Sequence, residues 1–313
     1  MALTTPEVLS LITNNPNTLQ QVLDYNHDLV NGIVQIGTNA GSASPSLNQI
    51  SIGQDALNSS LGNKAGCIGI GYTAGQNSNG IRNVIIGYGA GVNFGGQASV
   101  VLGPSAGQGA VSENSSVILG SGASASSIGI NNIHIGSGVA NESGTGVVPN
   151  GVIHNIFLGA IAGGTSSSTP NKGSYNIAIG YTSLCNNDDE LRDNIIALGQ
   201  EAGYSVGHAL PGGADSIYIG RESGKNSGGD NTIALGYQAG INSNSTDLIA
   251  LGRNAGNGNV IPNSFVISND SLPSYLDYAA AAAVINLIGG ASSGSTYLYH
   301  DQTTNSIGAV RIP

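Results

Sequence analysis

Ile233-Ala234-Leu235-Gly236-Tyr237-Gln238-Ala239-Gly240 decides how the chain is read. Its pattern is an aliphatic residue, a variable one, a second aliphatic and a glycine, then two free positions, a small residue and usually glycine. Fourteen copies run from about residue 34 to residue 268. Thirteen are anchored on Gly37, Gly53, Gly71, Gly87, Gly103, Gly120, Gly136, Gly159, Gly180, Gly199, Gly220, Gly236 and Gly252, and the last carries Ser268 in that place. Seven of the thirteen intervals are 16 residues. A fixed period of this length marks a solenoid, in which each unit covers its apolar surface only by stacking on its neighbours. The expected fold is therefore an all-β parallel solenoid of about 14 rungs, one elongated body over residues 34–271.

Each copy begins with a three-residue strand, such as Val34-Gln35-Ile36, Val84-Ile85-Ile86 or Ile217-Tyr218-Ile219. Successive side chains of a strand point to opposite faces. The outer positions are almost all branched aliphatics or leucine, which assigns them to the solenoid interior. The middle positions are mostly apolar and never charged, and a strand that is apolar on both faces is covered on both. The expected cover is an identical chain. This names Ile85, Val101, Ile118, Phe157, Ala178, Ala197, Tyr218, Ala234, Ala250 and Val266 as a trimer interface. The small residue three places after the anchor glycine, as at Ala40, Ala74 or Ala239, fits a narrow corner. Asn48, Asn83, Asn132, Asn155, Asn176, Asn194 and Asn231 stand just before strands, where amides can bond along the stack and to turn backbone.

Between Gly136 and Gly220 the intervals lengthen to 23, 21, 19 and 21 residues. The extra residues fall at 141–151, 164–173, 185–193 and 204–214, which places four loops on one edge. Loops held by a rigid scaffold are a usual seat of recognition; neutral insertion is the alternative reading. Asp188, Asp189, Glu190, Tyr204 and His208 are the receptor-binding candidates they carry.

The ends differ from the repeat. Thr5-Pro6-Glu7 reads as a helix start, and Val8, Ile12, Asn15, Leu19, Val22, Asn26, Leu29 and Ile33 alternate steps of four and three. Residues 1–33 are expected to be a helical attachment or trimerisation segment, as a coiled-coil seam or as an amphipathic helix lying on the body. Residues 272–313 are expected to form a small β cap, with strands at 296–300 and 306–312 joined by a turn-rich segment.

Composition excludes several functions. With 8 Lys and Arg against 18 Asp and Glu, a net charge of −10 argues against nucleic-acid binding, which uses cations to replace phosphate counterions. No stretch approaches the roughly 20 apolar residues of a membrane helix, and Met1 to Glu7 has no leader-like start, so neither membrane insertion nor secretion is expected. Cys67 and Cys185 are isolated and read as buried free thiols. His27, His134, His154, His208 and His300 share no metal spacing, and no nucleophile motif or phosphate loop is present. No catalytic, cofactor-binding or metal site is expected, and the chain does not read as an enzyme.

Residues 34–268, through copies such as Asn231-Thr232-Ile233-Ala234-Leu235-Gly236-Tyr237-Gln238-Ala239-Gly240, resemble the head repeats of YadA-like trimeric autotransporter adhesins and similar heads in phage and large-virus fibres. The resemblance implies a left-handed parallel β-roll, three chains side by side, and an attachment function. The adhesin period is shorter and more even, and the sequence lacks the leader, long stalk and membrane-anchor barrel of a secreted adhesin. The resemblance therefore implies first a viral structural fibre on the virion surface, joined to other virion proteins through residues 1–33 and binding a host cell-surface glycan or protein. A bacterial adhesin head on the cell surface is the alternative. A hexapeptide-repeat acyltransferase needs aliphatics three times per turn, and an ice-binding solenoid needs a flat threonine array; the sequence has neither.

Overall fold

The structure, a computed structural model, describes residues 25–28, 32–41, 48–59, 64–110, 113–125, 129–140, 152–164, 173–185, 193–206, 213–260, 262–267, 275–277, 296–301 and 306–311. It divides into two compact units, residues 1–174 and 175–313. Both are built of strands, and no helix occurs among the described residues.

In the first unit, β1 (Tyr25–Asp28) pairs antiparallel with β2 (Ile33–Ile36). From β2 a parallel ladder runs through β3 (Ile50–Ile52), β4 (Ile68–Ile70), β5 (Val84–Ile86), β6 (Val100–Leu102), β7 (Val117–Leu119), β9 (Ile133–Ile135) and β11 (Ile156–Leu158). The two-residue strands β8 (Gly129–Ile130) and β10 (Val152–Ile153) pair with each other on a second side. In the second unit β12 (Ile177–Ile179), β13 (Ile196–Leu198), β14 (Ile217–Ile219), β15 (Ile233–Leu235), β16 (Ile249–Leu251) and β17 (Ser264–Ile267) form the same ladder. There β18 (Tyr275–Asp277) adds antiparallel to β17, and β19 (Thr296–Asp301) and β20 (Ser306–Arg311) make a hairpin near the C-terminus. A parallel β-solenoid is thus the fold of both units.

Two expectations are corrected. The helix expected across residues 5–33 is replaced by the strand Tyr25–Asp28 in the stretch that the structure describes; residues 1–24 lie outside it. A backbone partner in β2 outweighs a helical periodicity that covers only a few turns.

The second correction reverses the two faces of the sheet. Ile85, Val101, Ile118, Ala178, Ala197, Tyr218, Ala234, Ala250 and Val266 are fully buried within the single chain, and Phe157 is 2% exposed. These middle residues fill the solenoid's own interior and are no trimer interface. The outer positions are the half-exposed ones, with Ile86, Ile135, Ile179 and Ile219 between 37 and 40%. Strand alternation gives the reason: the residue just before the first aliphatic shares a face with the middle one. That residue and the corner alanines already line the narrow interior, which leaves room for one strand side chain per turn.

The preceding residue is often polar, yet it is buried without strain. Ser99 N–H donates to Asn83 Oδ1 at 2.9 Å and Ser116 N–H to Ser99 Oγ at 3.2 Å. Asn132 N–H donates to Ser116 Oγ at 3.2 Å, and Asn155 N–H to Asn132 Oδ1 at 2.9 Å. Each side chain therefore caps the backbone N–H one turn further along, so no buried donor in this relay is left unpaired. In the second unit Asn176 does the same for Ile195, and Ser216 for Thr232.

The anchor glycines have φ between +110° and +141°. At Gly87 an added Cβ would lie 2.7 Å from the carbonyl oxygen of Gly103 one turn away, so the turns stack backbone on backbone at this corner.

Candidate interaction surfaces

The surface is built from the strand outward. Between its outer aliphatics and the flanking turns, the rungs present two further columns, the first exposed and the second exposed or half-buried. The first lies two residues before the strand and turns the chain in the left-handed region. In the first unit it contains Asn48, Arg82, Ala98, Ser115, Asn131 and His154, and in the second Tyr175, Asn194, Asp215, Asn231, Asp247 and Asn263, all at φ between +50° and +62°. Asn and Asp tolerate this conformation best because their side chains bond locally. The second column directly follows the anchor glycine. It holds Tyr72 and Tyr88 in the first unit and Tyr181, Arg221, Tyr237 and Arg253 in the second.

In the first unit the Tyr72 and Tyr88 rings stack at 5.3 Å and are 45 and 65% exposed. In the second, the Arg221 guanidinium lies 4.5 Å and that of Arg253 5.6 Å from the Tyr237 ring centroid. A neighbouring corner carries Lys225 2.5 Å from Glu201 and 5.3 Å from the Tyr204 ring centroid. The hydrogen bond to Lys225 holds the Glu201 carboxyl below its ordinary range and raises the Lys225 ammonium. Gln238 donates to Glu222 at 2.7 Å in the same array. On the opposite edge Asn194 donates to Asp215 at 2.9 Å and Asn231 to Asp247 at 3.0 Å. A cleft of about 430 Å³ opens beside them, lined by Asn231, Ile233, Asp247, Ile249, Asn263 and Ser264.

Of the receptor candidates, Tyr204 is half-buried under Lys225, while Asp188, Asp189, Glu190 and His208 lie outside the described residues, as do most residues of the four long insertions. Of this set only Tyr204 is among the described residues. The sequence reading also grouped the asparagines in one row. They split into two, with Asn83, Asn132, Asn155 and Asn176 buried next to the strand, and Asn48, Asn194 and Asn231 exposed one residue earlier. The signal was the offset from the first aliphatic residue, one place or two.

A titratable pair, His134 and Glu113, lies wholly inside. His134 replaces an aliphatic middle residue, stacks on Phe157 at 5.3 Å and shares a hydrogen bond through Nδ1 with Ser124. Its Nε2 has no hydrogen-bond partner among the described residues. Burial lowers its pKa, an effect opposed by the buried carboxylate of Glu113. Neither group can meet a substrate, because both are fully enclosed. Among the described residues no group of three or more His, Cys, Asp or Glu is placed to hold a metal ion, and no helix is long and apolar enough to cross a membrane.

No protein family, no curated protein and no solved structure matches this chain.

Proposed function

We propose that this chain is a structural fibre protein, assembled as a homotrimer and displayed on a virion surface for attachment to a host cell. The observation that carries the reading is the outward face of the two ladders. In each unit it is a row of isoleucine, valine and leucine, with Phe265 at the last parallel strand, half-exposed on the single chain and repeated with the period of the turns. Contiguous apolar surface of this kind marks an interaction site. A partner that matches it turn for turn needs the same period, and a second and third copy supply it. Chain-against-chain packing of this row agrees with the resemblance to trimeric fibre heads, with the two faces of the sheet exchanged from the initial assignment. Attachment remains assigned to the long insertions between Gly136 and Gly220, which threefold symmetry would multiply into a multivalent collar.

Light scattering on the purified chain should give about three times 31.2 kDa, and that species should compete with particles for host cells. A well-folded monomer at micromolar concentration overturns the reading. So does a trimer that leaves particle attachment unchanged.

A further inference from the structure

We propose that, in the second unit, neighbouring copies are joined in register by ion pairs between opposite margins of the sheet, Asp215 of one copy to Arg221 of the next and Asp247 to Arg253. This rests on the homotrimeric reading above and adds to it the residues that set axial alignment.

The argument starts from position within a turn. The left-handed column stands two residues before the strand and the post-glycine column directly after the anchor glycine, so they border the outward apolar row on its two sides. Asp215 and Arg221 belong to the turn of β14, and Asp247 and Arg253 to that of β16. All four are exposed. The turns between and before them carry neutral residues on both margins: Asn231 with Tyr237, and Asn194 with Gln200. Thus each margin arginine of this unit shares its turn with a margin aspartate, and no turn sets like charges together.

Within one chain these charges do not meet. Asp215 and Asp247 accept from Asn194 and Asn231, while Arg221 and Arg253 lie on Tyr237, with Arg221 also 3.8 Å from Glu222. A cyclic assembly changes this, because its interfaces are heterologous. When three copies turn their apolar rows toward a common axis, the leading margin of each lies against the trailing margin of the next. With no axial stagger, every Asp of this pattern faces an Arg. Sliding one copy by a single turn, about 4.8 Å, puts Asp opposite Tyr237 or Gln200 and loses both pairs.

The cleft beside Asn231 and Asp247 supports the same alignment. It opens over Ile233 and Ile249, at the level of the turns that carry Tyr237 and Arg253. The Arg253 guanidinium lies 5.6 Å from the Tyr237 ring centroid, and the carboxylate of Asp247 gives the receiving wall the sign opposite to the guanidinium. In the first unit three turns match in kind across their margins, Asn48 with Gln54, Ala98 with Pro104 and Ser115 with Ser121, while Arg82 stands with Tyr88 and His154 with Ala160, so no Asp–Arg turn occurs there among the described residues. Apolar burial alone tolerates slippage along a regular ladder, whereas charge placement selects one register.

The test uses the full chain and three variants: Arg221→Asp with Arg253→Asp, Asp215→Arg with Asp247→Arg, and all four changes together. Trimer dissociation is followed by light scattering on dilution, in urea below the unfolding midpoint, with circular dichroism to establish that each variant is folded. Either two-residue reversal should raise the half-dissociation concentration at least about tenfold, and the four-residue exchange should bring it back to within about threefold of the parent. Raising salt should weaken the parent and the four-residue exchange alike. A parent that is monomeric defeats the homotrimer itself. A trimeric parent whose two-residue reversals dissociate like it, or whose four-residue exchange restores nothing, overturns the margin pairing and leaves the trimer standing.

Discussion

The two faces of the strand ladders are both apolar, yet they differ in what surrounds them. The inward residues, from Ile85 and Ile118 in the first unit to Ala197 and Ala234 in the second, are fully buried within one chain. The outward residues, bulkier on average and more uniform, stay half in water. Size and uniformity were therefore poor guides to which row forms the core. A core in a narrow solenoid accepts whatever volume its corners leave, so it varies from alanine to tyrosine. A surface that packs against a regular partner has to repeat, so it stays isoleucine, valine or leucine from turn to turn until Phe265 in the last parallel strand. Variation marks the row that folds the chain, and monotony marks the row proposed to assemble it.

The sharpest way to break this comparison is to place one charge on each face. Ile118→Asp or Ala234→Asp buries an unpaired carboxylate beside apolar neighbours, which costs several kcal/mol. The expected result is loss of the folded chain, seen as collapse of the β signal in circular dichroism and as rapid proteolysis. Ile86→Asp or Ile219→Asp puts the same charge on the outward row, where a single chain leaves it hydrated. These variants should keep the parent's spectrum while light scattering falls to the monomer mass. If both pairs behave alike, the faces are not divided between folding and assembly.

A milder probe removes volume without adding charge. Ile118→Ala should destabilise the fold by about 2–5 kcal/mol, because the closed interior cannot fill the gap. Ile219→Ala should cost the single chain less than about 1 kcal/mol, since its side chain is already partly exposed. Urea denaturation of both, at a concentration where the parent is dissociated, measures the difference.

The smallest expected effect is a pH dependence confined to the inward face. Burial depresses the His134 pKa below its ordinary 6.5. The folded chain therefore holds His134 neutral where the unfolded chain binds a proton. The stability this neutral form contributes is present above pH 6.5 and is lost as pH falls below it toward the folded value. Between pH 6.5 and 5 the slope attributable to this residue should reach at most about 1.4 kcal/mol per pH unit. His134→Phe should flatten it.

Much of the fold was legible because its signals are local. The spacing of the anchor glycines reports a turn that only glycine accommodates at +110° to +141°. The corner positions could be read as well, and Ala74, Ala106 and Ala239 are fully buried where a small residue was required. Which face looks inward was not legible from the three-residue strands alone, since both faces are apolar. The preceding residue held the answer: Asn83, Ser99 and Ser116 are buried and cap the next turn. The expectation that the asparagines bond along the stack assigns them to neither face, which leaves the two faces interchangeable. The strand at Tyr25–Asp28 was hidden because its partner lies across a hairpin, and a helical periodicity records only local spacing. The margin charges were visible as letters, but their significance depends on knowing that residues six apart, such as Asp215 and Arg221, flank a single outward row.

The glycine column has one more consequence. Where backbone rests on backbone, as at Gly87 over Gly103, the fit between successive turns does not depend on which side chains each turn bears. A turn is then an interchangeable module. Duplicating a block of 16 codons should lengthen the ladder while keeping the backbone contacts at this corner, provided the duplicated turn also carries a capping side chain before its strand. Length in such a protein can change in quantised steps of one turn, as the seven intervals of 16 residues in the sequence illustrate.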